Sequence, residues 1–399
     1  MMESETTRDA RGRKRLIPEP FEPPFPIPSL KGLLARGGKA PSILDHGNAI
    51  EVTAGRYAIG LALRLLGVGP GDEVLAPAYH CTVMIDPIVA AGATPVFYKI
   101  DRDLNADLDD TATKITPGTK ALLASHLFGF PQNGPALRTF ADQHGLALIE
   151  DCAHAFFGDG MGSYGDFVIG SSRKFFPIAE GGCLISKRPE LHDIKLESQG
   201  LKDNISEVVM LVDRSLRYGR LSLLDLPLRA LEALRGSGKA SPDPEEGNTE
   251  PARPEEGSAD YDPVAEDIAI SGISRLLRRM TSTGHAARKR RENYEMLLDL
   301  VGDVPGVRAF FPQIAPGVVP FMAPFWVDRL EELFPLMEDA ALPMQRYGQF
   351  LWQGVDENVC PVSIEMSRRM VQLSCHQDLT PAEIRRIAGA FREIALREN

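Results

Sequence analysis

The sequence lacks the features that would assign its 399 residues to a membrane-spanning, secreted or nucleic-acid-binding class. No run of about eighteen apolar residues occurs, so we predict no membrane-spanning helix and no membrane partner. Residues 1–28 contain charges and prolines but no apolar stretch, so we expect no signal peptide. Lys and Arg number 44 against 55 Asp and Glu, which argues against nucleic acid as a partner.

Cysteine is scarce and its spacing is uninformative. The five cysteines are odd in number and none stands in a C-x-x-C pair, so neither a disulfide framework nor a metal site is predicted. A reduced chain is typical of the cell interior, and we therefore expect a cytoplasmic protein. The cysteines are Cys81, Cys152, Cys183, Cys360 and Cys375.

The chain is longer than one compact core usually holds, and this favours a large domain with a smaller one. Within 236–260 the sequence has almost no large apolar residues, which is typical of a disordered insertion. The predicted organisation is an N-terminal arm (1–45), a large domain (46–235), a disordered insertion (236–262), and a helical connection with a small C-terminal α+β domain (263–399).

Apolar strand-like segments alternate with helical ones after residue 53. This alternation predicts an α/β fold whose large, mostly parallel sheet has helices on both faces. The final helix has clear start signals, because Thr380, Pro381 and Glu383 fit a capping box. The predicted strands are 72–80, 94–101, 120–129, 146–155, 166–172 and 182–187, and the predicted helices are 55–68, 86–93, 136–145, 270–280, 288–301 and the final one.

Ligands of such sheets bind beyond the carboxyl ends of the strands. The polar residues that follow the apolar runs are therefore the candidates for a site. They are Tyr79, His80, His126, Asp151, His154, Ser171, Ser172 and Lys174.

Lys174 lies in "GSSRKFFPIAEGG", between an apolar strand and a glycine pair. A lone lysine is usually a surface residue. A lysine close to a semi-buried ring can instead have a lowered pKa and form a Schiff base with an aldehyde. Gly181 and Gly182 allow a close backbone approach or a positive φ. An ordinary turn would explain the glycines, but not the serines and the lysine together.

Asp151 follows the apolar run "LALIE". It is either a helix N-cap or loop salt-bridge residue, or an acid that keeps a pyridine-type nitrogen protonated, so that the ring accepts electrons. His154, three residues later, could hydrogen-bond a ring substituent, orient the acid, or be satisfied by the backbone. His126 is more typical of a packed histidine at a strand end.

A helix start at Gly55 offers free N–H groups that suit a phosphate, and Arg56 could add a bidentate contact. An unremarkable helix start is the alternative. Tyr79 or His80 could stack on a flat ring, or be packed in the core.

The motif order resembles that of the sugar aminotransferases of the DegT/DnrJ/EryC1/StrS family, which are fold-type-I enzymes that depend on pyridoxal 5'-phosphate (PLP). The resemblance extends over about residues 50–190, and "SCHQDLT" (374–380) is similar to the family's closing motif. The matching segments are "AGRYAIGLAL" (54–63), "GVGPGDEVLAPAYHCT" (67–82), "HLFGFP" (126–131), "IEDCAHA" (149–155), "GMGSYGD" (160–166) and "KFFPIAEGG" (174–182).

The resemblance implies catalytic roles for Lys174 and Asp151. Lys174 matches the lysine that forms the internal aldimine with PLP, and Asp151 matches the acid that pairs with the pyridine nitrogen. His154 stands where the family has Gln or His near the ring oxygen. Tyr79 and His80 both compete for the position of the ring-stacking aromatic.

The resemblance also implies the phosphate site. Gly55, Arg56 and Tyr57 match a Gly-Thr-Ser segment whose backbone holds the phosphate, and Arg56 departs from the family's Thr. Either Ser171 or Ser172 matches a phosphate-binding serine. The family's "NYRM" loop, which reaches the phosphate of a partner subunit, is not found in this sequence.

The implied function is transfer of an amino group, from glutamate, to a keto group of a nucleotide-linked sugar in cell-surface polysaccharide or secondary-metabolite biosynthesis. A same-fold dehydratase or lyase and a non-catalytic regulatory protein are the alternatives. Retention of Lys174 argues against the dehydratase, and retention of both Lys174 and Asp151 argues against the regulatory protein. The implied partners are the nucleotide sugar, the amino donor and a second copy in a homodimer. We expect the Pro-rich segment 17–28 to wrap around that neighbour.

Overall fold

The computed structural model describes residues 23–221 and 261–397. Its larger sheet has seven strands in the order β1-β7-β6-β5-β4-β2-β3. Strands β3, β2, β4, β5 and β6 run parallel, whereas β7 is antiparallel to both β6 and β1. The predicted α/β class with a mostly parallel sheet is thereby confirmed. The strands are β1 (Asn48–Val52), β2 (Glu73–Pro77), β3 (Thr94–Tyr98), β4 (Thr119–Ser125), β5 (Ala147–Asp151), β6 (Phe167–Gly170) and β7 (Gly182–Ser186).

Helices cover both faces of this sheet. Successive residues of a strand point to opposite faces, so each strand contributes side chains to the packing on both sides. Leu123 and Ile149 pack with the first long helix of the domain, whereas Leu122 and Leu148 pack with Phe140 on the other face. The strand β1 and the first, fourth and sixth helices were not predicted from the sequence. The helices of this part are α1 (Leu30–Leu34), α2 (Gly55–Leu65), α3 (Asp86–Ala90), α4 (Leu108–Thr113), α5 (Gly134–His144) and α6 (Leu201–Arg217).

The second sheet is antiparallel, with the order β10-β11-β9-β8, and α8, α9 and α11 pack against it in a separate core. The capping box of the last helix is confirmed, because Thr380 N–H donates to Glu383 over 2.6 Å and Glu383 N–H donates to Thr380 Oγ1 over 3.3 Å. The elements are α7 (Gly272–Met280), α8 (Thr283–Val301), β8 (Val307–Ala309), β9 (Met322–Val327), α9 (Leu330–Asp339), β10 (Met344–Gln345), α10 (Pro361–Arg369), β11 (Met370–Ser374) and α11 (Pro381–Ala395).

The domain bounds drawn from the sequence stay a prediction. The proposed insertion 236–262 lies outside the described residues except for its last two positions. In the two described ranges, no helix combines the length and the apolar character that a membrane crossing requires.

The described part of the N-terminal arm packs on its own chain. His376 Nε2 lies 3.0 Å from the Pro23 carbonyl oxygen, and the rings of Phe25 and Phe321 stack with centroids 6.0 Å apart. The carbonyl oxygens of Pro23 and Pro24 and the buried ring of Phe25 contact the C-terminal domain of the same chain. The wrapping of segment 17–28 around a neighbour stays a prediction.

Candidate active site

A cavity of about 620 Å³ opens at the carboxyl ends of β2, β4, β5 and β6. It brings together most of the residues that the sequence singled out, although they come from separate loops. The predicted residues in its wall are Gly55, Arg56, Tyr57, His126, Asp151, His154, Ser171 and Lys174. Tyr79, His80 and Ser172 do not line it.

Lys174 ends a short 3-10 turn, Ser172–Lys174, that directly follows β6. Its Nζ lies 5.5 Å from the centroid of the Phe321 ring. Burial lowers the pKa of Lys174 to about 8, and Cys81 and Asp151 oppose this shift only in part. Because desolvation disfavours the ammonium form, a useful fraction of this amine is neutral and nucleophilic near neutral pH.

The glycine pair after Lys174 allows two close backbone approaches. Gly181 has φ +147°, and a Cβ added there would stand 2.3 Å from Ser172 Oγ. A Cβ on Gly182 would stand 2.2 Å from the carbonyl carbon of Ala54, at the start of α2. The glycines therefore let the start of β7 pack directly against the turn that carries Lys174 and against the first turn of α2.

Asp151 is the last residue of β5 and is nearly buried. Its Oδ1 accepts a hydrogen bond of 2.9 Å from Ala153 N–H. Burial raises the pKa of Asp151, and Ala153 N–H and the positive charge of Lys174 offset part of that rise. Residues 152–166 form turns instead of a helix, so the helix N-cap alternative does not apply. The carboxyl group is placed to receive a cation from the cavity.

The His154 ring packs against three aromatic rings. It stacks on Phe321 at 4.5 Å and on Phe128 at 6.0 Å, and Tyr347 presents its edge at 5.0 Å. Burial holds the pKa of His154 well below its usual range, so the imidazole is neutral. Its Nδ1 is buried without a hydrogen-bond partner among the described residues. A buried polar atom of this kind calls for a partner, and a ligand in the cavity would provide one.

The first turn of α2 forms the opposite wall. The first N–H groups of a helix have no partner within it, and the N-cap residue, Ala54, makes no side-chain capping bond. Ser171 stands beside this turn, because a Cβ on Gly55 would lie 3.8 Å from Ser171 Cβ. Arg56 lines the cavity and forms no ion pair with a described residue. Backbone donors, a hydroxyl group and a guanidinium together suit a phosphate.

The placement of Tyr79 and His80 corrects the expectation that one of them stacks on a bound ring. Both are fully buried behind the cavity wall. Tyr79 donates to the Tyr347 carbonyl oxygen over 2.8 Å. His80 Nε2 accepts from Trp352 N–H over 2.9 Å, and its ring stacks on Phe97 at 4.9 Å. After β2 the chain turns these two side chains into the core, where their polar atoms are already bonded.

Ser172 is also turned away from the cavity, against Gly181, so Ser171 is the member of the pair that the structure brings to the helix start. His126 is the packed strand-end histidine that the sequence favoured. Its Nδ1 accepts from Gln132 N–H over 3.0 Å, and its Nε2 lies 3.0 Å from Glu150 Oε1.

Several residues of the cavity wall were missed from the sequence. Cys81, Arg173, Glu180, Arg214 and Tyr347 all line it. Arg173 and Glu180 stand in the segment around Lys174 and could have been found there. Arg214 belongs to the unpredicted helix α6. Tyr347 lies in a loop of the C-terminal domain whose sequence contains no motif. In the parts of the chain that the structure describes, no three His, Cys, Asp or Glu side chains form a group that could hold a metal ion.

Comparison with known proteins gives one consistent group. Residues 40–211 match the model of the DegT/DnrJ/EryC1/StrS aminotransferase family. The chain is 37% identical over 154 residues to a UDP-N-acetyl-3-dehydro-alpha-D-glucosamine 3-aminotransferase of Acidithiobacillus ferrooxidans, an alignment that spans 37% of this chain and 41% of that relative. The chain thus spans less than half the length of that relative.

Two other similarities are longer and weaker. The chain is 27% identical over 366 residues to a dTDP-4-dehydro-2,3,6-trideoxy-D-glucose 4-aminotransferase of Saccharopolyspora spinosa, covering 88% of this chain and 85% of the relative. The crystal structure of DesV from S. venezuelae superposes with a TM-score of 0.60 at 24% identity, covering 89% of this chain and 86% of DesV. The likeness to DesV establishes the fold.

Proposed function

Because the chain belongs to the DegT/DnrJ/EryC1/StrS aminotransferase family, we propose that it is a PLP-dependent aminotransferase that acts on a keto group of a nucleotide-linked sugar. One observation carries the proposal. A buried lysine, Lys174, whose pKa is lowered to about 8, shares a cavity with a buried acid, Asp151, and with the open start of α2. Amine, acid and anion site are the three groups that PLP chemistry requires from a protein.

The residues present fit PLP. A cavity of about 620 Å³ is of the size that small cofactors and substrates occupy. The start of α2, Arg56 and Ser171 would hold the phosphate, and Asp151 would face the ring nitrogen. The unpartnered Nδ1 of His154 would hydrogen-bond the ring oxygen. We assign these roles as proposals.

When bound, PLP supplies an aldehyde that condenses with amines and a ring that accepts electrons. Asp151 would hold a proton at the ring nitrogen, and its buried carboxyl group is stabilised as an anion by that cation. Lys174 Nζ would bind the aldehyde carbon and, when released, would take a proton from the α-carbon of the amino donor. Burial suits this step, because it keeps Nζ partly neutral and able to accept the proton.

The names of the relatives supply the substrate class, a keto sugar joined to a nucleoside diphosphate. We propose glutamate as the amino donor, as the family resemblance implies. Arg173 and Arg214 add positive charge to the cavity wall, in addition to that of Lys174. Guanidinium groups bind diphosphate oxygens through bidentate hydrogen bonds, which supports a nucleotide-linked substrate. The pathway, polysaccharide or secondary-metabolite biosynthesis, belongs to the same proposal.

The test follows the two half-reactions separately. Protein loaded with PLP is mixed with L-glutamate, and we expect its visible absorption band to disappear as an equal amount of 2-oxoglutarate forms. Adding a nucleotide-linked keto sugar should restore the band and give an amino sugar. A band that glutamate and other amino donors leave unchanged would support the regulatory alternative. Breakdown of the sugar without amino transfer would support a dehydratase or lyase.

We further propose a homodimer. Helices α6 and α7 pack together and expose large apolar side chains, with Leu201 79% and Ile205 55% exposed on α6 and Leu276 52% exposed on α7. Exposed apolar surface of this kind is typical of an interface, and α6 also contributes Arg214 to the cavity. A second copy on this face would close the cavity, in a twofold interface of about 2,000 Å² or more.

Light scattering tests the dimer. The charged variant Ile205→Asp should give monomers at micromolar concentration. The matched control is Leu34→Asp, which changes another exposed apolar side chain, on α1, and should leave the dimer intact. A wild-type monomer with full transamination activity would contradict the proposal.

The proposed location is the cytoplasm, which is supported by five cysteines that are all free thiols.

A further inference from the structure

Arg290 of α8 is completely buried, yet it has no ion pair with a described Asp or Glu. Its guanidinium instead donates to four oxygens from three parts of the chain, one of them the Pro320 carbonyl oxygen, which Nη1 reaches over 3.4 Å. Nη2 donates to the Lys174 carbonyl oxygen over 2.9 Å, Nη1 to the Phe321 carbonyl oxygen over 2.8 Å, and Nε to Gln377 Oε1 over 2.9 Å. A buried charge is costly unless hydrogen bonds satisfy it, so the arrangement indicates a specific task.

Gln377 completes the arrangement. It follows β11, in the closing "SCHQDLT" segment, and is buried. While its Oε1 accepts from Arg290, its Nε2 donates to the Phe175 carbonyl oxygen over 2.7 Å. Two side chains of the C-terminal domain therefore hold two successive carbonyl groups, those of Lys174 and Phe175. Arg290 also lies 4.6 Å from the Phe175 ring centroid.

The same guanidinium fixes the surface on which the lysine side chain rests. Arg290 binds the backbone of Phe321, whose ring lies 5.5 Å from Lys174 Nζ and 4.5 Å from the ring of His154. One buried side chain thus ties together the backbone that bears the amine and the ring that desolvates it. A planar fork of donors can reach several acceptors in this way, whereas a lysine ammonium cannot reproduce the geometry.

We propose that Arg290 and Gln377 are positioning residues that hold Lys174 against the Phe321 ring and so keep its amine aimed into the cavity and shielded from water. The inference rests on the proposed function for the chemical task of Lys174. The positioning itself is a property of the chain without cofactor. The hydrogen bond from Arg290 to the Lys174 carbonyl oxygen links the C-terminal domain to the residue that bears the reactive amine, across 116 residues of sequence.

The test uses cofactor-free full-length protein and measures how fast Lys174 reacts with acetic anhydride at different pH values, by peptide mass spectrometry. The variants are Arg290→Lys and Gln377→Met, neither of which changes the formal charge. The matched control is Tyr294→Phe on the same helix. Tyr294 is also buried, but its hydroxyl group donates to the Phe311 carbonyl oxygen over 2.8 Å, away from Lys174 and Gln377.

We expect a midpoint near pH 8 for wild type. Both variants should shift it upward by about one unit, which means about tenfold slower labelling at pH 7. The groups that face the amine, namely Cys81, Asp151, His154 and Arg173, are unchanged in all variants. Tyr294→Phe should lower the melting temperature and leave the pH midpoint equal to that of wild type.

Midpoints equal to wild type in both variants, with only the melting temperature lowered, would overturn the proposal and leave a structural role. If Arg290→Lys does not fold, the labelling midpoint of Gln377→Met alone tests the proposal. With PLP and substrates added, both variants should lose about tenfold or more in kcat, with little change in the KM of the amino donor. If wild type does not transaminate, the proposed function fails. The labelling result still tests whether Arg290 and Gln377 position Lys174, because it is measured on cofactor-free protein.

Discussion

A methyl group added at Gly182 should disable the proposed phosphate site without replacing any residue of the cavity wall. Gly182 begins β7 and lies against the first turn of α2. In the variant Gly182→Ala the new Cβ would stand 2.2 Å from the Ala54 carbonyl carbon, 2.3 Å from its oxygen and 2.5 Å from Gly55 N. All three atoms belong to the backbone and cannot rotate away.

The displacement follows from these distances. Ordinary contact with a Cβ begins at 3.4 Å, so the start of α2 must move by more than 1 Å relative to β7. A misplacement of about 1 Å typically costs about a hundredfold where geometry matters. We therefore expect Gly182→Ala to bind PLP about a hundredfold more weakly, as measured by spectroscopic titration. Binding of pyridoxal, which has no phosphate, should be unchanged.

Two other glycine variants serve as controls. Gly55→Ala keeps the backbone N–H, and its Cβ would lie 3.6 Å from the Gly170 oxygen, in ordinary contact. Gly389→Ala in α11 meets nothing within 4 Å and should stabilise the helix by about 1 kcal/mol. Both should bind PLP as wild type does. The steric argument is refuted if folded Gly182→Ala binds PLP normally, or if it loses PLP and pyridoxal equally.

Three further outcomes follow from the site and the sequence. Asp151→Asn should retain some cofactor but lose at least about a hundredfold in kcat, or about 3 kcal/mol of barrier, and near wild-type turnover would exclude its role at the ring nitrogen. The rate at which cofactor-free protein captures PLP should rise with pH up to about 8 and then level off, because the neutral form of Lys174 reacts; a flat profile in stopped-flow absorbance would contradict this. Excision of residues 236–260 should leave the PLP spectrum intact, because that composition cannot build a core, and loss of the spectrum would show that the segment contributes to the site.

The sequence predicted those parts of the site that depend on local order along the chain. Asp151 and Lys174 directly follow buried strands, and the carboxyl ends of parallel strands meet at one edge of the sheet. The glycine pair was recognised as a close approach, and the structure identifies the partners as Ser172 and Ala54. The strands themselves were visible as apolar runs, because both faces of a parallel sheet are buried.

The remaining parts depend on tertiary packing and could not be predicted. Tyr79 and His80 follow a strand as Asp151 does, but the turn after β2 directs them into the core, and no local pattern encodes that direction. Tyr347 and Arg290 reach the site from the C-terminal domain, far away in sequence. A buried arginine without a carboxylate partner looks like any surface arginine until the carbonyl groups that it binds are placed around it.

The most direct test of the central claim is to identify the residue that binds the cofactor. Protein purified with PLP is reduced with borohydride, digested and mapped by mass spectrometry. We predict a visible absorption band that borohydride abolishes, with the reduced cofactor found on the peptide that contains Lys174. The variant Lys174→Ala should show neither the band nor the label. A label on another lysine, or transamination by Lys174→Ala at the wild-type rate, would contradict the account.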